Sequence, residues 1–191
     1  MSHHLIRHIE RFIPVSEQLA ARLQQIGKEH TLEKGAYLHK PNRVCTTTYF
    51  IEKGLVRVFY RKGEKEITDQ FSAEGEWITS IHSFLKNVPD ACYIQTLEPS
   101  ALMGIDLQQL EQCFLDFPEM ERFGRMLMST YFLEQSERII SLQFHTAKER
   151  YEFFLKTAKH KATRVPLGML ASHLGMTQET LSRIRAEKDA F

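Results

Sequence analysis

The spacing of apolar residues changes period twice along the chain. In the first 30 residues Leu19, Leu23 and Ile26 recur at intervals of four and three, and Gly27 offers a stop, which predicts an amphipathic helix. From Thr31 to Asp106 the pattern breaks into short β-type runs such as Tyr49-Phe50-Ile51 and Leu55 to Tyr60, punctuated by Gly35, Gly54, Gly63, Gly75 and Gly104. Many short strands with regular turn signals predict an antiparallel sandwich or barrel.

After Asp106 the glycines thin out and the helical period returns. One short helix is expected from Asp106 to Phe114. The run Asp116-Phe-Pro-Glu119 predicts the start of the next, with an acidic cap, an early proline and a first-turn glutamate. This helix should reach about Phe144, on the order of 40 Å at about 1.5 Å per residue. It carries two apolar rows: Met120, Phe123, Leu127 and Tyr131, and Met128, Phe132, Ile139 and Leu142. A helix that is apolar on more than one side must be covered on more than one side. The β-module covers one face and a second copy of the helix the other, and the row Met120, Phe123, Leu127, Tyr131 is assigned to that dimer contact.

Residues 146 to 191 are helical again. Pro166 opens a helix whose Leu167, Leu170, Ala171 and Leu174 face inward, and Gly175 supplies a left-handed turn. Thr177 caps a second helix in which Leu181 and Ile184 fill the joint core. That is the spacing of a helix-turn-helix. The second helix presents Gln178, Glu179, Ser182 and Arg183 on its leading face, an acceptor for cytosine N4 and a fork for guanine O6 and N7. Thr177, Thr180, Arg185 and Lys188 are the expected phosphate contacts.

Charge adds to this picture. Of 191 residues, 1 to 144 hold 16 Lys+Arg against 19 Asp+Glu, and 145 to 191 hold 9 against 5. A basic tail on a mildly acidic body suits a polyanion partner. Cys45, Cys92 and Cys113 lie far apart with no C-x-x-C pair, so neither a disulfide framework nor a zinc or iron-sulfur site is expected. His30, His39 and His82 are scattered, and there is no G-x-S-x-G elbow or P-loop, so no catalytic role, metal or other cofactor is expected. No run reaches 18 apolar residues and the start lacks a signal-peptide core, which predicts a soluble cytoplasmic protein without membrane contact.

The segments Glu33-Lys-Gly-Ala-Tyr-Leu38, Tyr49 to Arg57, the turn Gly63-Glu64 and Glu179-Thr-Leu-Ser-Arg183 together make the chain resemble the Crp/Fnr family of bacterial transcription regulators over nearly its whole length. The resemblance implies an α+β fold: an antiparallel, jelly-roll-like β-roll sensor (1–115), a long dimerisation helix (116–145) and a helix-turn-helix DNA-binding domain (146–191). The implied function is a homodimeric regulator reading inverted TTGA-like half-sites on double-stranded DNA, with RNA polymerase as a candidate partner and an unknown small-molecule effector.

Cyclic-AMP-binding members hold the nucleotide with a glutamate and an arginine. Ser80 and Asp90 align at those positions, so cyclic AMP is not the expected effector. Arg57 or Lys86 would restore the charge only in a rearranged pocket. The candidate ligand pocket is Trp77, Ser80, His82 and Asp90. Oxygen-sensing members bind a cluster through N-terminal cysteines, and here none precedes Cys45. His82 near Cys92 would be the only pair suited to haem, and none is expected. The chain stops eight residues after Arg183, so a short or absent wing hairpin is expected. The alternative function is a sensing or scaffolding dimer that has lost DNA binding.

Overall fold

The computed structural model describes residues 3 to 189, with side chains described from 4 to 187. Two helices, α1 (His3–Glu10) and α2 (Glu17–Ile26), precede the first strand. The single N-terminal helix expected from the apolar spacing is therefore divided. Ser16 starts α2 afresh by accepting a hydrogen bond from the Leu19 N–H, and strand pairing has already begun at Lys28.

Eight strands follow, β1 (Lys28–Leu32), β2 (Tyr37–His39), β3 (Thr47–Lys53), β4 (Val56–Lys62), β5 (Lys65–Ser72), β6 (Trp77–Ile78), β7 (Tyr93–Thr96) and β8 (Ser100–Asp106), with the short helix α3 (Ile81–Lys86) between β6 and β7. They form two four-stranded antiparallel sheets in the orders β1-β8-β3-β6 and β2-β7-β4-β5. Strand alternation divides the side chains of β3: Tyr49 and Ile51 face Val56, Val58, Ile94 and Leu102 in one core, while Phe50 faces the helices in another. The turn Gly63-Glu64 closes the β4–β5 hairpin as expected.

Helix α4 (Leu107–Asp116) starts on Asp106, whose carboxylate accepts from the Gln108 N–H at 3.0 Å. Helix α5 (Pro118–Phe144) has Pro118 in its first turn as expected, but its cap is Phe117 rather than Asp116, which closes α4 instead. The assigned dimer row is also corrected. Met120 and Phe123 are only 1% and 3% exposed, packed with Leu5, Ile9 and Ile13 of the N-terminal segment, and Leu127 leans on the same cluster. The protomer covers this row itself, with Tyr131 half-buried beyond it. The second row is the open one, with Phe132 71% and Ile139 54% exposed.

Helices α6 (Ala147–Ala162), α7 (Leu167–His173) and α8 (Gln178–Asp189) complete the chain. They share one core with the β-roll, in which Leu55, Phe71, Ala73 and Leu97 meet Tyr151, Phe154, Val165 and Leu170. Polar contacts reinforce the docking. Ser172 Oγ accepts from the Thr68 N–H and donates to the Glu66 carbonyl, satisfying backbone of β5, the outermost strand of its sheet. Arg164 is gripped by Glu74 at 2.8 and 2.9 Å and by Glu98 at 2.8 and 3.0 Å. Lys161 pairs with Glu76 at 2.6 Å and donates to the Phe71 carbonyl. No helix among the described residues is long and apolar enough to cross a membrane.

Candidate nucleic-acid interface and sensor pocket

The helix pair α7–α8 is built from local rules that agree. Pro166 accepts the first backbone bonds of α7 from Met169 and Leu170. Gly175 takes φ +64°, and the Met176 N–H returns to the Ala171 carbonyl, so the chain reverses immediately after the helix. A side chain at 175 would also meet Leu142 of α5, whose Cδ2 lies 2.9 Å from where a Cβ would sit. Thr177 Oγ1 accepts from the Thr180 N–H and starts α8. Leu170, Ala171, Leu174, Leu181 and Ile184 are buried between the two helices, and Leu167 is packed at the edge of the same core.

Gln178, Glu179, Ser182 and Arg183 are all exposed. At spacings of one, three and one they fall on a single face of α8. Gln178 Oε1 lies 2.8 Å from where a Cβ at Gly168 would be, so this glycine gives the glutamine room against α7. The Glu179 carboxyl is held below its ordinary pKa by its own backbone N–H and by the Thr177 hydroxyl, which keeps it an acceptor at neutral pH.

The expected phosphate contacts divide. Thr177 and Thr180 stand at the α8 N-terminus with their hydroxyls 3.1 Å apart. Arg185 turns inward instead, donating to the Ala162 carbonyl at 3.4 Å and lying over the Tyr151 ring, because the long side chain reaches apolar cover behind the helix. The Lys188 side chain lies outside the described residues. The basic tail is also less available than its composition suggests. Of its nine cations, Lys161 and Arg164 are neutralised by β-roll glutamates, and Arg150 and Arg185 are spent on backbone carbonyls.

In the β-roll, Ser80 and Asp90 do come together. The Ser80 hydroxyl donates to Asp90 Oδ2, while Oδ1 accepts from the Cys92 N–H at 3.1 Å and lies 3.0 Å from His39 Nε2. Burial would raise the Asp90 pKa, yet these hydrogen bonds outweigh it and hold the carboxyl below its ordinary value. The carboxylate is thus satisfied by the protein itself.

The rest of the expected pocket is rearranged. Trp77 points to the other side of its sheet, against Phe50 at 5.4 Å and Phe123 at 6.1 Å, because one residue along a strand reverses the face. His82 is exposed on α3, turned to solvent rather than into a pocket with Ser80 and Asp90. His39, which carries the pairing with Asp90, is missed by sequence reading: it is 51 positions away, and no local signal links the two. Arg57 lies over Phe59 at 3.9 Å and bonds Glu66 and Gln95, and Lys86 is exposed, so neither cation restores the pocket's charge.

A cleft of about 230 Å³ lies where β5, α5, α6 and α7 meet, with Asp69, Arg138, Lys161 and His173 on its walls. Burial, reinforced by nearby Arg138, drives the His173 pKa down to about 3, so this ring is neutral at ordinary pH.

Residues 29–117 match the family described as the cyclic nucleotide-binding domain. The transcriptional activator protein Anr of Pseudomonas protegens is 23% identical over 181 residues, covering 88% of this chain and 73% of its own length. The anaerobic regulatory protein of Pasteurella multocida is 23% identical over 172 residues, and the chain spans 62% of it. The solved structure of FixK2 from Bradyrhizobium japonicum superposes with a TM-score of 0.76 at 16% identity, covering 86% of this chain and 85% of that one. The β-roll, the long helix and the terminal helix pair thus share the fold of FixK2 over most of both chains, and residues 29–117 are similar to the cyclic nucleotide-binding domain.

Proposed function

We propose that the chain is a homodimeric transcription regulator that reads an inverted repeat on double-stranded DNA in the cytoplasm, without catalytic activity of its own. The observation that carries the reading is the exposed face Gln178, Glu179, Ser182, Arg183 on a helix whose opposite side is locked into a helix-turn-helix core. Such a helix enters the major groove with its first turns against base edges. Glu179 accepts from a cytosine amino group and Arg183 forks onto guanine, with Ser182 and Gln178 beside them. Thr177 and Thr180 meet phosphate at the positive end of the helix dipole. Lys188 is proposed as a further phosphate contact. The names of the relatives Anr and the anaerobic regulatory protein support this reading.

The second copy sits on the open row of α5. Met128, Phe132, Ile139 and Leu142, with Gln135 between them, repeat at intervals of four and three, which is a heptad seam. Two parallel copies related by a twofold axis present their α8 helices to half-sites one turn apart, about 34 Å. RNA polymerase is the partner that bound DNA would bring within reach. The β-roll is not controlled by cyclic AMP, because Asp90 occupies the phosphate anchor and is already hydrogen-bonded. Any effector binds elsewhere.

Fluorescence-anisotropy titrations against duplexes with paired TTGA-like half-sites and against scrambled duplexes test the reading. Preference for the paired site by about 1000-fold or more at physiological salt is expected. Equal affinity for both duplexes, or none for either, would favour a sensing or scaffolding dimer.

A further inference from the structure

The polar groups around the joint between α5 and α6 assign a role to Arg150. Only His145 and Thr146 separate the two helices, and both are extended. Helix α6 is pinned at once by a capping box in which Thr146 and Glu149 exchange hydrogen bonds. One helical turn on from Thr146, the guanidinium of Arg150 spans three carbonyls: Nη1 donates to His145 at 2.7 Å, Nε to Leu174 at 2.7 Å and Nη2 to Gly175 at 3.2 Å. His145 is the C-cap of α5 and Leu174 the C-cap of α7. A single cation therefore satisfies the unpaired carbonyls, and faces the negative dipole ends, of two helices.

Two further contacts join the same places. Arg138 of α5 donates to the His173 carbonyl at 3.4 Å, and Leu142 of α5 abuts Gly175. The turn of the helix-turn-helix is thus seated on the C-terminal end of the long helix, three residues before α8 begins.

We infer that Arg150 is a positioning residue for DNA recognition: it fixes the angle between α5 and the α7–α8 turn, and thereby sets the half-site spacing the dimer accepts. This rests on the proposed DNA reading, in which α5 runs beside the twofold axis. A base pair added between half-sites moves the second by about 3.4 Å along the axis and rotates it by about a tenth of a turn. A rigid seat cannot follow that change and a loosened one can. Lysine does not substitute, because it is a point charge without the planar fork that holds three carbonyls at once.

The experiment measures affinity of the full-length wild type, R150Q and R150K for duplexes whose half-sites are fixed in sequence and whose spacer is lengthened or shortened by one and two base pairs. Thermal unfolding of each variant runs alongside. The wild type is expected to favour one spacer by about tenfold or more, a difference of about 1.4 kcal/mol. Both variants are expected to cut that preference to about threefold or less while keeping the base preference within each half-site. Variants that retain the wild-type spacer profile, or that lose affinity by the same factor at every spacer, overturn the role of Arg150. A wild type that binds no duplex at any spacer overturns the DNA reading itself, and the proposal with it.

Discussion

Replacing Phe132 by Asp tests which row of α5 meets the second copy. An aromatic side chain of this kind buries about 150 to 250 Å² when fully covered. With Phe132 71% exposed in the protomer, a dimer that covers it removes roughly 140 Å² per copy from water. At about 25 cal/mol per Å² that is about 3.5 kcal/mol per protomer. The twofold axis counts it twice, and the substituted chain must also bring two carboxylates together. Even if half of the area stays wet, the loss of about 3.5 kcal/mol weakens the dimer by more than about 100-fold. Sedimentation equilibrium on wild type and F132D, with circular dichroism to establish that the protomer stays folded, reads this directly. The wild type should sediment as a dimer at micromolar concentration and F132D as a folded monomer with impaired DNA binding. A folded F132D dimer of unchanged affinity would refute the seam.

Three other outcomes are expected. R164A should loosen the DNA-binding helices from the β-roll: hydrogen bonds from Arg164 come first among the causes that hold the Glu74 carboxyl at about 2, below its ordinary 4.5. Because the folded pKa is depressed, this contribution is present above about pH 4.5 and lost as pH falls towards about 2. With Glu74 partly open to solvent it is worth about 1 to 2 kcal/mol after screening, measured as a narrower pH difference in unfolding free energy for R164A. Cyclic AMP should give no saturable heat in calorimetry up to about 1 mM, a binding free energy weaker than about 4 kcal/mol, and micromolar binding would contradict the closed Ser80–Asp90–His39 set. R183A should cost about 1 to 3 kcal/mol at the cognate site and relax one base pair, whereas K188A should weaken all sequences alike and lower the salt slope by about one.

What the sequence reveals and what it hides follow the range of the forces involved. The helix-turn-helix is legible because each of its signals is local: Pro166 at an entry, Gly175 where φ must be positive, Thr177 as a cap, and apolar residues at helical spacing. The extent of α5 is legible for the same reason. Its rotation is not. A helix with apolar residues on several sides says that it will be covered, but whether Met120 or Phe132 faces the protomer depends on α1, more than 100 residues earlier in the chain.

The pocket fails in a similar way. Ser80 and Asp90 flank one short helix and meet, while Trp77 takes the opposite face of β6 and His39 arrives from β2 across the sheet. Charge misleads most. Lys161 and Arg164 read as polyanion contacts until Glu74, Glu76 and Glu98, brought by distant turns, occupy them. Arg185 likewise has an exposed helical spacing but an inward path along Tyr151.

The most direct test of the central claim is selection of DNA from a pool of random duplexes by the purified full-length chain at about 150 mM salt, followed by sequencing of the bound fraction. Enrichment of an inverted repeat with half-site centres about one helical turn apart, containing a G·C pair whose preference disappears in R183A, is the predicted result. A bound fraction with the same sequence distribution as the input pool would contradict the account.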